Sequence, residues 1–311
     1  MLLTHGATDA ALPPVALTVG NFDGIHRGHQ AMLGRLVGEA RKRGLASCVL
    51  TFEPHPREFF LAQAAPTRLT SLREKCERLA AHGVERVHVQ HFTRAFASIA
   101  PETFVEQVIA ERLKARWVLV GEDFRFGAKR AGDIALLKRL AERCGYEVQV
   151  MPAVTRAGAR VSSSGVRAAL AAGDLVSAEA LLGRPYGISG RVMHGRKLGR
   201  ELGFATANIQ LRHNRPPLTG IYAVKVHGVD AGARPAVASL GVRPTITASG
   251  RAVLEVHLFD FSGDLYHRHV RVDFLHKIRD EEKYPDLETM KAQIARDCDA
   301  ARRFLLEHGN A

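Results

Sequence analysis

Two histidines stand three residues apart in the segment 20–29, which reads G-N-F-D-G-I-H-R-G-H and directly follows a short apolar run. This position predicts a loop that turns into a helix N-terminus, where unpaired backbone N–H groups and a partial positive charge attract anions. The imidazoles of His26 and His29 can stabilise negative charge that develops on phosphate oxygens, and Gly28 lets the backbone approach closely. The G-x-G-x-x-G fingerprint and the G-x-x-x-x-G-K-[ST] loop are absent, which argues against a usual dehydrogenase or phosphate-loop ATPase.

A second stretch with phosphate-binding character covers residues 190–208, G-R-V-M-H-G-R-K-L-G-R-E-L-G-F-A-T-A-N. Its glycines, among them Gly195 and Gly203, are interleaved with basic residues such as Lys197. A loop of this kind can cradle a phosphate with its backbone donors. Glycine-rich turns are also common in small barrels, so composition alone leaves both interpretations open.

Glu255 is a candidate general base. It lies in the segment 254–261, L-E-V-H-L-F-D-F, whose alternation predicts a strand. Glu255 and His257 would share one face of that strand, and Val256 and Leu258 would share the other. A carboxylate held beside a substrate hydroxyl can accept its proton. The alternative is a strand glutamate that faces solvent.

The elements that must position these residues fall into two groups. Apolar β-branched runs at 15–19, 47–52, 84–89, 117–120 and 147–150 alternate with amphipathic helices at 28–43, 71–81, 101–113 and 133–144. This order predicts a doubly wound parallel sheet, which binds ligands outside the carboxyl ends of its strands.

The second half of the chain has a different pattern. One or two helices at 166–182 are followed by short glycine-punctuated strands at 190–193, 222–226, 236–240, 253–261 and 270–275, and then by a helix at 286–306. Short strands with turn signals between them predict a small antiparallel barrel or sandwich. The expected fold is therefore α/β plus all-β, with domains at 1–185 and 186–311.

Composition excludes few classes. The 311 residues carry a net charge of +12, which suits phosphorylated small molecules or nucleic acid but also fits the scattered arginines that an arginine-rich genome would encode. No apolar stretch is long enough to span a bilayer, and residues 1–14 do not resemble a secretory signal. Cys48, Cys76, Cys144 and Cys298 are far apart, so we expect neither a disulfide framework nor a zinc site, and a reducing cytoplasm.

The segment 20–29 resembles the H-x-G-H nucleotidyltransferase superfamily, and its full wording is similar to bacterial bifunctional riboflavin kinase/FAD synthetases. Three further segments resemble that family in order: T-F-E-P-H-P at 51–56, V-G-E-D-F-R-F-G at 120–127, and V-S-S-S-G-V-R at 161–167. In the last segment Ser164 replaces the family's Thr and keeps the hydroxyl. The resemblance implies that an FMN phosphate oxygen attacks the α-phosphorus of ATP, with release of pyrophosphate.

The kinase half of that family is similar to residues 190–208, although Ala205 stands where the family has proline. The resemblance implies that riboflavin is phosphorylated there to FMN, with Mg²⁺ and ATP. Loss of the proline is expected to loosen the loop without deleting a ligand.

The resemblance also implies roles for individual residues. Catalytic residues would be Glu255 in the kinase and His26, His29 and Arg167 in the adenylyltransferase. ATP would contact Gly20, Asn21, Phe22, Asp23, Gly28, Ser163, Ser164, Gly195, Lys197 and Gly203. The flavin would contact Pro54, His55, Pro56, Asp123, Phe124 and Arg279. Thr206 and Asn208 would hold the metal.

Other functions stay open at this stage. One module could be inactive, or the chain could be a tRNA-related H-x-G-H protein, which its net charge would suit. The expected partners are riboflavin, FMN and ATP, with FAD as product, and without nucleic acid or membrane. The chain is expected to be cytoplasmic and a monomer or weak homo-oligomer.

Overall fold

The computed structural model describes residues 1–6, 12–61, 64–156, 158–194, 204–211, 215–243 and 251–308. The chain forms two compact units, Met1–Pro66 with Leu72–Ser162, and Thr67–Ser71 with Ser163–Ala311. The sequence predicts a boundary near 183–187 instead. The units divide earlier because two helices before residue 183 bury apolar side chains in the core of the second unit. The boundary between the two predicted activities stays a prediction.

The first unit is built on a six-stranded parallel sheet with the order β1-β4-β3-β2-β5-β6. Its strands are β1 Leu2–His5, β2 Val15–Val19, β3 Ala46–Glu53, β4 Arg86–His91, β5 Ala115–Gly121 and β6 Glu147–Met151. The predicted doubly wound α/β fold is confirmed. The sequence analysis did not find β1, because its leucines are exposed and show no buried alternation.

Helices surround this sheet. They are α1 Arg27–Lys42, α2 Pro56–Leu61, α3 Leu72–Ala81, α4 Arg94–Ala97, α5 Pro101–Thr103 and α6 Ile134–Cys144. The sequence predicts one regular helix over 101–113, but α5 continues as the wider π-helical segment Phe104–Arg112. There the Leu113 N–H donates to the Val108 carbonyl oxygen, five residues back, at 3.0 Å.

Two cores form because successive strand residues point to opposite faces of the sheet. Leu17 of β2 packs with the π-helical segment and α6. Ala16 of the same strand belongs to a second cluster with residues of α1 and α3. All five residues of β2 are buried. A strand covered on both faces needs such a continuous apolar run, and its burial fixes the central strand that leads to the two histidines.

A buried histidine lies on the strand next to the edge strand β1 of this sheet. His88 of β4 has no exposed surface, and its Nδ1 is 3.0 Å from Thr4 Oγ1 of β1. Burial is the largest cause that lowers the pKa of His88 to about 4, with smaller contributions from the positive groups of Arg112, His5 and Arg86, against a hydrogen bond with Gln90 that raises it. The folded unit therefore holds this ring neutral at pH values where an unfolded chain would protonate it.

Acid is expected to destabilise the first unit through His88. Since the folded-state pKa lies below the ordinary value, stability falls as the pH drops from about 6.5 to about 4, by about 3 kcal/mol. The His88→Leu variant should lose this part of the pH dependence. Urea unfolding followed by the fluorescence of Trp117, a buried residue of β5, measures it. His91→Leu, at an exposed position of β4, is the control and should keep the pH dependence of the wild type. If the free energy of unfolding of His88→Leu changed with pH as it does in the wild type, His88 would not be the cause of the acid destabilisation.

The second unit contains a closed antiparallel barrel with the order β10-β13-β12-β11-β14-β9. Its strands are β9 Tyr186–Met193, β10 Ala207–Ile209, β11 Gly220–His227, β12 Arg234–Arg243, β13 Arg251–Leu258 and β14 His269–Arg279. The strands β7 Thr155–Arg156 and β8 Ala159–Arg160 are not part of the barrel and form a separate hairpin in the first unit. The predicted antiparallel barrel is confirmed.

In the described part of the second unit the barrel is accompanied by the helices α7 Ser163–Ala171, α8 Leu175–Leu182 and α9 Leu287–His308. Val166 and Leu182, from α7 and α8, belong to the same core as the inward-facing barrel residues. Helix α9 covers outward-facing barrel positions, where Ala301 and Leu305 pack with Ile221 of β11. The barrel is thus packed on the inside and partly covered on the outside.

Candidate active sites

The loop between β2 and α1 adopts an unusual backbone at the carboxyl end of β2. Phe22 and Ile25 have left-handed φ angles of 47° and 42°, and Gly24 has a φ of 84°. A left-handed residue with a side chain costs roughly 1–2 kcal/mol. Burial of a large apolar side chain contributes about 1.5–3 kcal/mol, and Phe22 and Ile25 are almost wholly buried. The apolar residues of the motif therefore hold the loop in shape.

His26 caps helix α1. Its Nδ1 accepts a hydrogen bond from the His29 N–H at 3.3 Å, and only 6% of the residue is exposed. Because Nδ1 accepts, a neutral His26 carries its proton on Nε2, which is then a donor. A Cβ at Gly28 would lie 3.2 Å from the His26 ring, tighter than most such contacts. Glycine at this position thus allows the capping geometry.

His29 lies against two rings. Its ring stacks on that of His26, with centroids 3.7 Å apart and planes at 16°, and the Phe22 centroid is 4.9 Å away. Burial, followed by the positive charges of His26 and Lys75, lowers the pKa of His29 well below its ordinary value. Its Nδ1 is buried and has no hydrogen-bond partner among the described residues. His29 is therefore a neutral ring with a polar atom left for a ligand.

Asn21 and Asp23 belong to the same loop. The Asn21 carbonyl oxygen accepts from Thr51 Oγ1 of β3 at 3.3 Å, while Asn21 Oδ1 is buried and bonds to nothing in the described part of the chain. Asp23 is 3% exposed. The Gly20 N–H donates to the Leu50 carbonyl oxygen at 3.0 Å, so β3 supports the start of the loop. The structure brings together the predicted ATP-binding residues of this motif.

Lys75 is a residue that the sequence analysis missed. It lies on α3 with 4% of its surface exposed, and its Nζ donates to Thr51 Oγ1 at 3.2 Å. Its spacing in the sequence could have identified it. Lys75 follows Leu72 by three residues and precedes Leu79 by four, so it falls on the apolar face of the predicted helix. A charged residue on that face is unexpected.

The predicted flavin residues 54–56 follow β3. The His55 Nδ1 accepts from the Arg57 N–H at 3.1 Å, and its carbonyl oxygen accepts from Glu58 and Phe59 N–H groups, so His55 starts helix α2. Pro54 and Pro56 are partly exposed on either side of it. The structure gives His55 a local structural role, and its contact with a flavin stays a prediction.

The predicted flavin residues Asp123 and Phe124 follow β5. Asp123 Oδ2 accepts from Arg160 Nη2 of β8 at 2.7 Å, with both side chains half exposed or more. Phe124 stacks on Phe126 with centroids 5.4 Å apart. Phe126 is 6% exposed and belongs to the core, whereas Phe124 is only partly buried against it. Of the two rings, Phe124 is the one with surface left for a ligand.

A row of aromatic side chains was also missed, because its members are dispersed along the sequence. Phe92 and Phe96 have centroids 5.7 Å apart. Phe59 and Phe60 of α2 contact Phe92 at 5.5 and 5.7 Å, and Phe60 is 64% exposed. The row thus runs from partly buried rings to an exposed one, near the end of β3.

The segment predicted to bind ATP phosphates, Ser163, Ser164 and Arg167, begins helix α7. The Arg167 Nε donates to the Thr67 carbonyl oxygen at 2.5 Å, within the second compact unit. His26 and His29 belong to the first unit. The roles of the two serines and the arginine stay predictions from their motif.

Glu255 and Asn208 face each other in the barrel. Asn208 of β10 is directly opposite Glu255 of β13, which is directly opposite Ser239 of β12. Opposite residues of antiparallel strands lie on one face, and this is the outer face, because Leu254 and Val256 point into the core. The predicted alternation along β13 is confirmed, and the candidate base and candidate metal ligand are brought together.

His257 anchors the chain before β10. Its Nδ1 bonds to the Ala205 carbonyl oxygen at 2.9 Å, and its ring packs edge-on against Phe204 with centroids 5.6 Å apart. Thr206, the other predicted metal ligand, follows and is partly buried. The predicted phosphate-binding residues Gly195, Lys197 and Gly203 lie outside the described residues.

The Ala205→Pro variant is expected to lower the apparent KM for ATP in the kinase step by about two- to fivefold, because a compatible proline removes about 0.4–1 kcal/mol of chain entropy. Proline keeps the carbonyl oxygen that His257 bonds. Steady-state kinetics at varied ATP measure the effect. FAD formation from supplied FMN is the control and should not change. A large loss of kinase activity would mean that the backbone at Ala205 cannot adopt the φ of proline.

Arg279, which is predicted to contact the flavin, forms an ion pair with helix α9 of the same unit. Its Nε and Nη2 donate to the two carboxylate oxygens of Asp297 on α9, at 2.8 and 2.6 Å. Asp297 is 4% exposed, and the Tyr284 ring lies 5.9 Å from the guanidinium. This bidentate pair joins the end of β14 to α9. Contact between Arg279 and a flavin stays a prediction.

Comparison with known proteins covers both domains. Residues 8–165 match the FAD synthetase family, and residues 182–305 match the riboflavin kinase family. Among the relatives named bifunctional riboflavin kinase/FMN adenylyltransferase are two from different bacterial species. The one from Escherichia coli is 46% identical over 300 residues, or 96% of each chain. The one from Haemophilus influenzae is 44% identical over 306 residues, or 98% of this chain and 99% of the relative.

One solved structure matches over nearly the full length. It is named as a macrolide-efflux protein from Streptococcus pneumoniae, with a TM-score of 0.82, 29% identity, and coverage of 97% of this chain and 99% of that one. The fold of this chain therefore occurs in an experimental structure. In the described residues of this chain, no helix is both long and apolar enough to cross a membrane.

The sheet domain with its two-histidine loop and the closed barrel with its outward-facing Glu255 define a two-domain transferase, which combines nucleotidyl transfer with kinase chemistry. The chain belongs to the bifunctional riboflavin kinase/FMN adenylyltransferase family.

Proposed function

We propose that this chain phosphorylates riboflavin to FMN at the barrel and adenylylates FMN to FAD at the parallel-sheet domain, using ATP in both steps. The observation that carries the proposal is that each domain matches one of the two corresponding families, within an overall identity of 46% to a relative of that name.

In the adenylylation step, a phosphate oxygen of FMN attacks the α-phosphorus of ATP. The bond from that phosphorus to the oxygen that bridges to the β-phosphorus breaks, and pyrophosphate leaves. The Nε2–H of His26 and the neutral ring of His29 donate to oxygens that gain charge, and Arg167 supports the leaving pyrophosphate. The donors are fixed before the substrate arrives, and no covalent enzyme intermediate is needed.

In the kinase step, Glu255 accepts the proton of the riboflavin 5′-hydroxyl. The hydroxyl oxygen then bonds to the γ-phosphorus of ATP, the bond to the β-phosphate oxygen breaks, and ADP leaves. Glu255 is partly exposed on the outer face of the barrel and lies opposite Asn208. That position suits a carboxylate that must reach a substrate hydroxyl.

Mg²⁺ is proposed as the metal of the kinase step. The side-chain oxygens of Thr206 and Asn208, beside the carboxylate of Glu255, are the hard ligands that this ion prefers. When bound with ATP, the ion would offset negative charge on the phosphates. Thr206 and Asn208 would hold it, while Glu255 handles the proton.

For the flavin of the adenylylation step, we propose contact with Phe124 and with the partly exposed aromatic row near Phe60, in addition to the residues 54–56 and Asp123. Aromatic rings stack on planar ring systems, and these rings follow the carboxyl ends of β3, β4 and β5, where α/β sheets bind ligands. Arg279 is retained as a proposed flavin contact in the kinase.

The proposed partners are small molecules, without nucleic acid or membrane, in a cytoplasmic chain that is a monomer or weak homo-oligomer. The described cysteines are all unpaired with one another, as a reducing compartment would keep them.

One assay tests both activities. Purified protein is incubated with riboflavin, ATP and Mg²⁺, and the flavins are separated by chromatography. FMN should form first and FAD should follow. FMN supplied directly should give FAD without a lag. Absence of FMN from riboflavin, or of FAD from FMN, would refute the corresponding half of the proposal, and retention on tRNA in place of both activities would favour a nucleic-acid function.

A further inference from the structure

Lys75 is a buried charge that the mechanism above does not use. Lysine is among the residues least often buried, because removing an ammonium group from water costs several kcal/mol unless nearby groups offset it. Only 4% of Lys75 is exposed, and it lies in the middle of α3 on the same face as the fully buried Leu79. A charge kept in such a place requires an explanation.

The contacts of Lys75 lead to the two-histidine loop. Its Nζ donates to Thr51 Oγ1 of β3 at 3.2 Å, and that hydroxyl donates to the Asn21 carbonyl oxygen at 3.3 Å. Thr51 has no exposed surface. A continuous hydrogen-bond chain therefore links α3, through the end of β3, to the loop that begins at Gly20 and ends at the His26 cap.

The charge of Lys75 also acts on His29. The titratable groups that lower the pKa of this ring are His26, from the same loop, and Lys75, from α3, and both add to the larger effect of burial. A positive group near a histidine disfavours its protonated form. His29 therefore stays neutral although it lies in a site that is suited to anions.

We propose that Lys75 is a positioning residue of the adenylylation site, whose ammonium group holds the loop 20–26 against β3 and supplies positive charge beside His29. The inference rests on the proposed function of that site. It assigns two separable effects to one side chain: a tether that runs through Thr51, and an electrostatic effect that does not need Thr51.

Two variants separate these effects. Lys75→Met keeps the length of the side chain and removes its charge, so the pKa of His29 should rise. The kcat for FMN adenylylation should fall by about 10- to 100-fold, because a small displacement of catalytic groups has an effect of this size. Thr51→Val cuts the tether but keeps the charge. It should reduce kcat in the same way and leave the pKa of His29 low.

The pKa of His29 is measured by NMR titration of the imidazole signals, with the His29→Ala spectrum for assignment. Lys75→Arg should keep the low pKa. Arg73→Met is the matched control, since Arg73 lies on the same helix in an exposed pair with Glu77, and it should change neither quantity. Conversion of riboflavin to FMN by each variant, together with Trp117 fluorescence, reports on folding.

An unchanged His29 pKa in Lys75→Met would overturn the electrostatic part of the proposal. Wild-type kcat in both Lys75→Met and Thr51→Val would overturn the tether. Failure of the wild-type protein to make FAD from FMN would instead refute the proposed function, and the NMR titration would still decide whether Lys75 controls His29.

Discussion

His29→Ala is expected to slow FAD formation from FMN by about 10²–10³-fold, the usual effect of removing one preorganised donor to a developing negative charge. The alanine also removes the ring that stacks on His26 at 3.7 Å, while the backbone N–H of residue 29 still donates to the Nδ1 of the capping histidine. Conversion of riboflavin to FMN should continue, because that chemistry is assigned to the barrel. Single-turnover assays with FMN and ATP, and separate assays with riboflavin and ATP, measure the two steps.

His82→Ala is the control for the loss of a histidine in the first unit. His82 bonds to the Arg78 carbonyl oxygen near the end of α3, away from the two-histidine loop. It should retain both activities. If His29→Ala abolished both steps while the protein kept its Trp117 fluorescence and circular dichroism spectrum, the assignment of the two reactions to separate domains would be wrong.

In contrast to His29→Ala, Glu255→Gln should slow the kinase step and leave the adenylylation step unchanged. General-base catalysis contributes roughly 10²–10⁴-fold, and glutamine preserves the shape of the side chain while removing the base. The position opposite Asn208 on β10 should be retained, since it is fixed by the strand register. Kinase turnover at saturating ATP and riboflavin should fall by that factor, and FMN should still be converted to FAD.

Glu307→Gln provides the matched control, because Glu307 is an exposed residue near the end of α9 in the same compact unit. Its kinase turnover should equal that of the wild type. An unchanged turnover in Glu255→Gln would identify Glu255 as a strand carboxylate without a catalytic role. Another group would then have to accept the hydroxyl proton.

The sequence was most informative where burial determines the pattern. Val15–Val19 is apolar throughout because both faces of β2 are covered, and that pattern predicted a central parallel strand. The alternation at Glu255 was predicted equally well, because one face of β13 lies in the barrel core. Strand β1 could not be predicted in this way, because its pairing with β4 depends on backbone bonds more than on burial.

The site was predictable only where its residues are contiguous. His26 and His29 occur in one short motif, so their proximity could be inferred from helix geometry. Lys75 reaches the same loop through a neighbouring strand and is separated from His29 by more than forty residues, a pairing that only the fold creates. The ion pair of Arg279 with Asp297 has the same origin, since it depends on where α9 packs against the barrel.

Helix α7 connects the predicted nucleotide motif to the kinase unit. Its first turn contains Ser163 and Ser164, while Val166 and Leu170 pack in the barrel core. A ligand that binds only the folded helix stabilises everything that folds with it, by about 2.7 kcal/mol at a concentration one hundred times its Kd. ATP held by this turn for adenylylation would therefore protect the domain that makes the FMN. Cellular ATP would then contribute to the stability of the kinase fold as well as to the rate of its reaction.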